Sequence, residues 1–324
     1  MPQLPVVNVG VIGLGTDWQS RYLPALLKMQ QRIRVVSVHD DVATRAEVTA
    51  DQLQSSFASG VRDLLNQTDV RGWLYLGTHW RTDWLIEQFA SRGVAVFVGR
   101  DVRTDVDQLR RWHQRADDAG VTVLPELPLR FTPAILRLRE LMATDLGPVT
   151  SMKVEAASNG KCAAETSAMI QVVDCCCALL RRHLVEVEYA SDRNGDIRSV
   201  RLAYRSFRQS EPADEPVAVE VTLNGSGNVV PTAIPSLTIE LRCRRGVALL
   251  CGEQNLRWEA EGHTSVEKLN ADRSSAEVML DLFARRVVGG LVPVPDLADQ
   301  IQAIEDANRV MQVFRQCSAA DGPQ

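Results

Sequence analysis

No stretch of this sequence approaches the ~18–20 consecutive apolar residues that a membrane-spanning helix needs, so a transmembrane role is not expected. Basic clusters are also lacking. Formal net charge is −5 and the pI is about 5.7, whereas a phosphate backbone needs a concentration of Lys and Arg, so nucleic acid is not an expected partner. The opening residues, MPQLPVVNVGVIG, carry no basic n-region and run straight into a strand pattern. No signal peptide is therefore expected, and the cytoplasm is the expected location. The seven cysteines include no Cys-x-x-Cys pair, and an odd number without a secretory signal argues against a disulfide framework. Cys175, Cys176 and Cys177 are consecutive. On a helix they point in different directions and cannot all face one ion, so they read as small core residues and no metal is expected. Internal repeats and low-complexity segments are absent, and no histidine lies between His113 and His183.

What is present has a clear rhythm. At 324 residues the chain suggests about two domains. Asn8–Ile12, Ile33–His39, Gly72–Leu76, Val94–Val98 and Val121–Leu124 are short apolar runs. Between them, Tyr22–Met29, Ala43–Gln54, Trp84–Ser91 and Asp105–Ala119 have helical spacing. Gly120 is a helix-stop signal for the last of these. Alternation of this kind predicts right-handed βαβ units and a doubly wound parallel sheet. The Pro-rich LPELPLRFTP breaks the rhythm and places a boundary near residue 124. The predicted domains are thus 1–124 and 125–324. Beyond the boundary, helices are predicted at Ala134–Ala143 and about Thr166–Arg182. Strands follow at Val149–Ala156, Val185–Ala190, Val200–Phe207, Val217–Leu223, Leu237–Cys243 and Val247–Cys251. Short turns between consecutive strands predict a mostly antiparallel sheet, hence an α+β second domain. Ala276–Val288 and Asp296–Gln316 read as closing helices.

The chemistry concentrates after the first strand. Gly10-Val11-Ile12-Gly13-Leu14-Gly15-Thr16-Asp17-Trp18 sits between a strand and a helix, the context of a dinucleotide phosphate loop. Gly13 and Gly15 make the tight turn and bring backbone N–H groups to a pyrophosphate. The third small residue of such loops is replaced by Trp18, which should push the helix away or fill cofactor space. Asp17 places a carboxylate beside two phosphate charges. Asp40 ends the second strand, 27 residues after Gly13, where a carboxylate bonds ribose hydroxyls and repels a 2′-phosphate. With Asp41 beside it and no Arg, the reading is NAD rather than NADP; the other reading of Asp40 is a helix cap.

These segments resemble the glucose–fructose oxidoreductase / inositol dehydrogenase (Gfo/Idh/MocA) family. The similar stretches are GVIGLG (Gly10–Gly15), SVHDDVATRA (Ser37–Ala46), Trp73–Asp101, Arg130–Glu155 and Phe283–Val310, in the family's order. The resemblance implies a Rossmann first domain, a nicotinamide cofactor, a small-molecule substrate of the sugar or polyol type, and a homo-oligomer joined through the open antiparallel sheet. It also implies a cofactor-side loop at Gly77-Thr78, a Glu-Lys-Pro after the fifth strand, and an Asp and a His four residues apart on a second-domain helix. Carried over, Glu-Lys-Pro falls on Gly99-Arg100-Asp101, the Asp on Gln171 and the His on Cys175.

The family's acid/base groups are thus replaced. Arg100 orients anions but cannot shuttle a proton at neutral pH. Cys175 is a base only with a strongly depressed pKa. His79, after Gly77-Thr78, is a third positional candidate, with an exposed loop histidine as its alternative. Trp80 and Trp84 read as helix-start packing. Two functions follow: an NAD-dependent oxidoreductase with a reworked site, or a non-catalytic nucleotide- or ligand-binding relative of the same fold.

Overall fold

Val7, Val9, Val11 and Ile12 are almost wholly buried, because the first strand, β1 (Val7–Ile12), has neighbours on both edges and cover on both faces. The structure, a computed structural model, describes residues 5–77, 81–100, 102, 104–158, 162–190, 197–206, 215–225 and 237–320. After β1 come α1 (Leu23–Lys28), β2 (Ile33–His39), α2 (Ala43–Leu53), β3 (Ser56–Phe57), α3 (Val61–Leu65) and β4 (Gly72–Tyr75). Then follow α4 (Thr82–Ser91), β5 (Ala95–Val98), α5 (Val106–Ala119) and β6 (Val123–Pro125). The six strands run parallel in the order β3-β2-β1-β4-β5-β6. The order reverses between β1 and β4, the switch point where doubly wound sheets bind ligands.

Packing explains several sequence choices. A Cβ on Gly10 would sit 2.0 Å from the Trp73 ring, so β1 must carry glycine where β4 carries tryptophan. Trp73 in turn stacks on Phe89 of α4, centroids 4.9 Å apart. On α5, Leu109, Trp112 and Ala116 form the buried stripe; Asp105 caps its start by accepting the Gln108 N–H at 2.7 Å. Gly120 ends it in the left-handed region, φ +64°. β3 and α3 are too short and too polar to have shown in the sequence pattern.

The rest of the chain contributes α6 (Pro133–Leu141), β7 (Val149–Ser158), α7 (Cys162–Leu180), β8 (Arg182–Ala190), β9 (Ile197–Ser206), β10 (Val217–Gly225) and β11 (Leu237–Cys243). After these come β12 (Gly246–Cys251), β13 (Asn255–Ala260), β14 (His263–Lys268), α8 (Ser275–Val287) and α9 (Leu297–Ala320). The second sheet has eight strands in the order β14-β13-β12-β11-β7-β10-β9-β8, antiparallel except for the β7–β10 pair. β13 and β14 were not expected. Their turn is Glu261-Gly262, with φ +53° and +79°, the two positive values of a type I′ hairpin. Met169, Val172, Val173, Cys176 and Leu179 of α7 enter one core with Val154, Val219 and Val221.

The chain divides into a unit of residues 1–127 with 276–301, and a unit of 128–275 with 302–324. The first break lies three residues from the boundary expected at 124, but α8 returns to the first unit. The reason is packing. A Cβ on Gly72 would meet the Phe283 ring at 2.8 Å, Phe97 meets Phe283 edge-on, and Glu277 and Asp281 pair with Lys28 and Arg32.

Candidate functional site

The loop after β1 is built as the glycines require. Gly13 has φ +73°, and a Cβ on it would lie 2.9 Å from the Gly77 backbone, so the loops after β1 and β4 approach as only glycines permit. Gly13 N–H donates to the His39 carbonyl at 2.9 Å. Leu14 N–H donates to Asp40 Oδ2 at 2.7 Å. Gly15 is half-buried and Thr16 is exposed. Thr78, His79 and Trp80 lie outside the described residues, as does Asp101.

Trp18 is buried, 2 % exposed, and packs inside the unit instead of standing on the open loop. The chain accommodates it by widening the helix start. Trp18–Tyr22 form a π turn in which Tyr22 N–H reaches the Asp17 carbonyl at 3.3 Å, and α1 proper begins only at Leu23, with Pro24 in its first turn. The helix predicted from Tyr22 therefore begins as this turn at Trp18.

Asp17 does not face the loop as a bare carboxylate. Arg100 clasps it with Nε–Oδ2 at 2.6 Å and Nη2–Oδ1 at 3.1 Å, and Arg21 Nη1 adds a contact at 3.1 Å. Glu126, after β6, completes the cluster. Its Oε1 takes Arg21 Nη1 at 2.7 Å, and its Oε2 accepts the Arg100 N–H at 2.8 Å and the Tyr22 hydroxyl. Two carboxylates thus face two guanidiniums, and the cluster sums to zero charge. Burial pushes the Asp17 carboxyl up, but the Arg100 hydrogen bonds and charge, with Arg21, outweigh it and hold the group below its usual value. Burial, reinforced by Glu126, drives the Tyr22 phenol far above its usual range, which keeps it a donor.

Asp40 is equally engaged. Its oxygens accept Leu14 N–H, Val42 N–H at 2.9 Å, and Arg45, whose Nη2 reaches Oδ2 at 2.6 Å and Oδ1 at 2.8 Å. The premise that no arginine stands here is corrected: Arg45, in the first turn of α2 and 53 % exposed at its side chain, covers the carboxylate. Burial raises the Asp40 carboxyl, while Arg45 and the two backbone N–H groups reverse that and leave it low. The ribose-binding role expected of Asp40 thus competes with five protein donor contacts.

The two low carboxyls set an acid limit. A group whose folded pKa is depressed favours the fold when ionised. Its contribution is complete above the unfolded value of roughly 4 and drains away as pH falls through the folded value. The urea midpoint of the first unit is expected to hold steady from pH 7 to about 5 and to fall below about 4. Asp17→Asn should give a lower plateau with a shallower acid decline; parallel wild-type and variant profiles would show that Asp17 contributes nothing to it.

In the second unit, Cys175 and Cys176 are buried. Burial, with Asp174 beside it, pushes the Cys175 thiol well above its usual range, and Cys177 is pushed up to about 12. A thiol so raised stays protonated at neutral pH, which removes Cys175 as a base. Gln171 is buried on the same helix. The neighbouring charge is Asp174, held by Arg130 through Nε–Oδ2 at 2.7 Å and Nη2–Oδ1 at 2.5 Å. Among the described residues no cluster of metal ligands occurs. Trp84 is 44 % exposed, which corrects its reading as helix-start packing. No helix among the described residues is long and apolar enough to cross a membrane.

The sequence reading missed Arg21, Tyr22, Arg45 and Glu126. Arg21 and Arg45 had a signal, lying four and five residues after Asp17 and Asp40. Glu126 had none, since its partner Tyr22 is 104 residues away.

Comparison with known proteins adds a lineage to this geometry. A family model described as the oxidoreductase family, NAD-binding Rossmann fold (Gfo/Idh/MocA) matches residues 7–127. D-xylose 1-dehydrogenase (NADP(+)) 2 of Haloferax volcanii is 27% identical over 147 residues, 44% of this chain and 44% of that protein, so the match spans less than half of the relative. Among solved structures, a dehydrogenase from Chromobacterium violaceum superposes with TM-score 0.79 at 17% identity, covering 98% of each chain. UDP-N-acetylglucosamine 3-dehydrogenase GnnA from Acidithiobacillus ferrooxidans gives 0.75 at 16%, covering 97% of this chain and 99% of that one. An aldose-aldose oxidoreductase from Caulobacter crescentus gives 0.75 at 13%, covering 96% and 98%. At such identities these structures share the fold.

Proposed function

We propose that the chain, whose residues 7–127 match the Gfo/Idh/MocA oxidoreductase family model, binds a nicotinamide dinucleotide in its first unit and oxidises or reduces a sugar, polyol or related hydroxyl compound with a reworked site. The carrying observation is the fit of the β1 loop. Gly13 lies against Gly77, Gly15 is half-buried and Thr16 exposed, and the Asp17 charge is answered by two arginines. Both obstacles to a dinucleotide are thereby removed, because the indole is inside the fold and the carboxylate is neutralised. The names of the xylose dehydrogenase and the aldose oxidoreductase support a sugar-like substrate.

A bound nicotinamide supplies the site for hydride. This chain's residues bind and orient. Gly15 and Thr16 offer backbone to the pyrophosphate, and Asp40 holds the Leu14 amide and so the shape of the loop. Arg100, fixed on Asp17, cancels that carboxylate and offers no proton exchange at neutral pH. With Cys175 sealed, His79 is the remaining proton-transfer candidate in this reading. Assembly as a homo-oligomer through the outward face of the eight-stranded sheet, where Val247 and Leu249 are exposed, belongs to the same reading; light scattering tests it.

The clasp on Arg100 and the burial of Cys175 favour a second reading, a dinucleotide-binding protein without catalysis. Titration with NADH and NADPH, read by energy transfer from tryptophan, followed by a sugar and polyol screen, separates the two. Binding with turnover that His79→Ala reduces by about 10²–10⁴-fold supports the enzyme. Binding without turnover selects the second reading, and absence of binding sinks both. Because Arg45 covers Asp40, NADPH is expected to bind at least as tightly as NADH. Arg45→Ala should weaken NADPH by about tenfold, the loss of one charged hydrogen bond, and NADH much less. Equal weakening of both would sink this role for Arg45.

A further inference from the structure

A cavity of about 520 Å³ opens within the second unit, where the ends of α6 and α7 meet the starts of β7, β8 and β10. Its walls carry Arg139, Arg181, Arg182 and Arg245, and no carboxylate. In a chain of net charge −5, this is a local excess of positive charge. Among the described residues, no acidic group forms an ion pair with Arg139, Arg181 or Arg245. The floor is apolar and includes Met142 and Val217.

Arginines at helix ends often serve the last carbonyls. That accounts for Arg245, whose Nη2 donates to the Thr144 carbonyl at 2.5 Å. It does not account for Arg139 or Arg181, which make no such bond among the described residues. Two backbone features hold these groups in place. Arg181 follows the last turn of α7 with φ +52°, a conformation that costs a non-glycine residue energy and that glycine would fill without strain. Gly147, φ +74°, leaves room for Arg245, whose Nε would lie 3.2 Å from a Cβ there. Arg139, Arg181 and Arg245 are exposed at the pocket, and the part-burial of Arg139 with the charges of Arg181 and Arg130 holds its guanidinium below the usual value.

We propose that this pocket binds a phosphate ester, with the phosphate among the arginines and the organic part on the apolar floor. The volume suits a ligand larger than bare phosphate, and the guanidinium fork matches phosphate oxygens.

Calorimetric titration of the full chain with phenyl phosphate and with inorganic phosphate tests this. Phenyl phosphate should bind at one site, about tenfold more tightly than inorganic phosphate because its ring covers apolar floor. Arg139→Gln and Arg181→Gln should each weaken it about tenfold. Arg181→Gly should weaken it as much while raising the urea midpoint, since the strained φ is relieved. A residue with only a structural role would not separate the two readouts in that way. Glucose 6-phosphate and uridine monophosphate, titrated separately, distinguish a sugar phosphate from a nucleotide as the source. Saturating NADPH should leave the phenyl phosphate titration unchanged. The proposal falls if phenyl phosphate fails to bind at millimolar concentration, if the variants bind as wild type does, or if NADPH displaces the ligand.

Discussion

Glu126→Ala should destabilise the first unit by about 3–5 kcal/mol, the range for removing one partner of a buried ion pair. Glu126 is 4 % exposed and engages three groups at once: it pairs with the Arg21 guanidinium and accepts from the Tyr22 hydroxyl and the Arg100 backbone N–H. Alanine removes one of the two carboxylates that face Arg21 and Arg100, and takes away the acceptor of a phenol that burial keeps protonated. Glu126→Gln preserves an oxygen for Tyr22 and the Arg100 N–H but turns the charge-assisted bond to Arg21 into a neutral one. Its cost should be about half. Urea unfolding at pH 7 with linear extrapolation gives both numbers. An alanine variant within about 1 kcal/mol of wild type would show that the cluster is not a structural keystone. The same variant frees the chain after β5 at Arg100, so cofactor binding should weaken in step with stability.

Arg130→Ala should be as costly to the second unit, again about 3–5 kcal/mol. Asp174 is 2 % exposed on α7, and Arg130 grips both its oxygens. Removing the guanidinium leaves that carboxylate without its bidentate partner in a medium that solvates charge poorly. The informative companion is the double replacement Arg130→Met with Asp174→Leu, which removes both charges and fills the space. Recovery of most of the lost stability would locate the cost in the stranded carboxylate instead of the lost contact. If the single variant is near neutral and the double is not, the pair has been misassigned.

The legible parts of this chain were those whose cause is local. β1, β2, β4 and β5 are continuous apolar runs because both sheet faces are covered, and α5 declares itself by its stripe, its Asp105 cap and Gly120. That Gly99-Arg100 and Cys175 fall where the resemblance expects Glu-Lys and His was legible from the sequence. What they do in the fold needed coordinates. Arg100 finds Asp17 across 83 positions and Asp174 finds Arg130 across 44, distances at which no periodicity carries information. Trp18 looked like an obstruction because a straight α-helix start was assumed, and the π turn removes that conflict. β13 and β14 were hidden by alternation too polar to stand out, although Glu261-Gly262 is a hairpin signal in retrospect.

The return of α8 to the first unit has a consequence for birth as well as for architecture. Gly72 and Phe97 both meet Phe283, which leaves the ribosome long after the strands it covers. At roughly 5–20 residues per second, the interval between residues 127 and 287 is about 8–30 s. Throughout that time the nascent six-stranded sheet lacks the Phe283 side chain that covers Gly72 and Phe97. Its completion waits on translation of the second unit, and a fragment ending at residue 127 is expected to lack the cover that α8 gives the sheet.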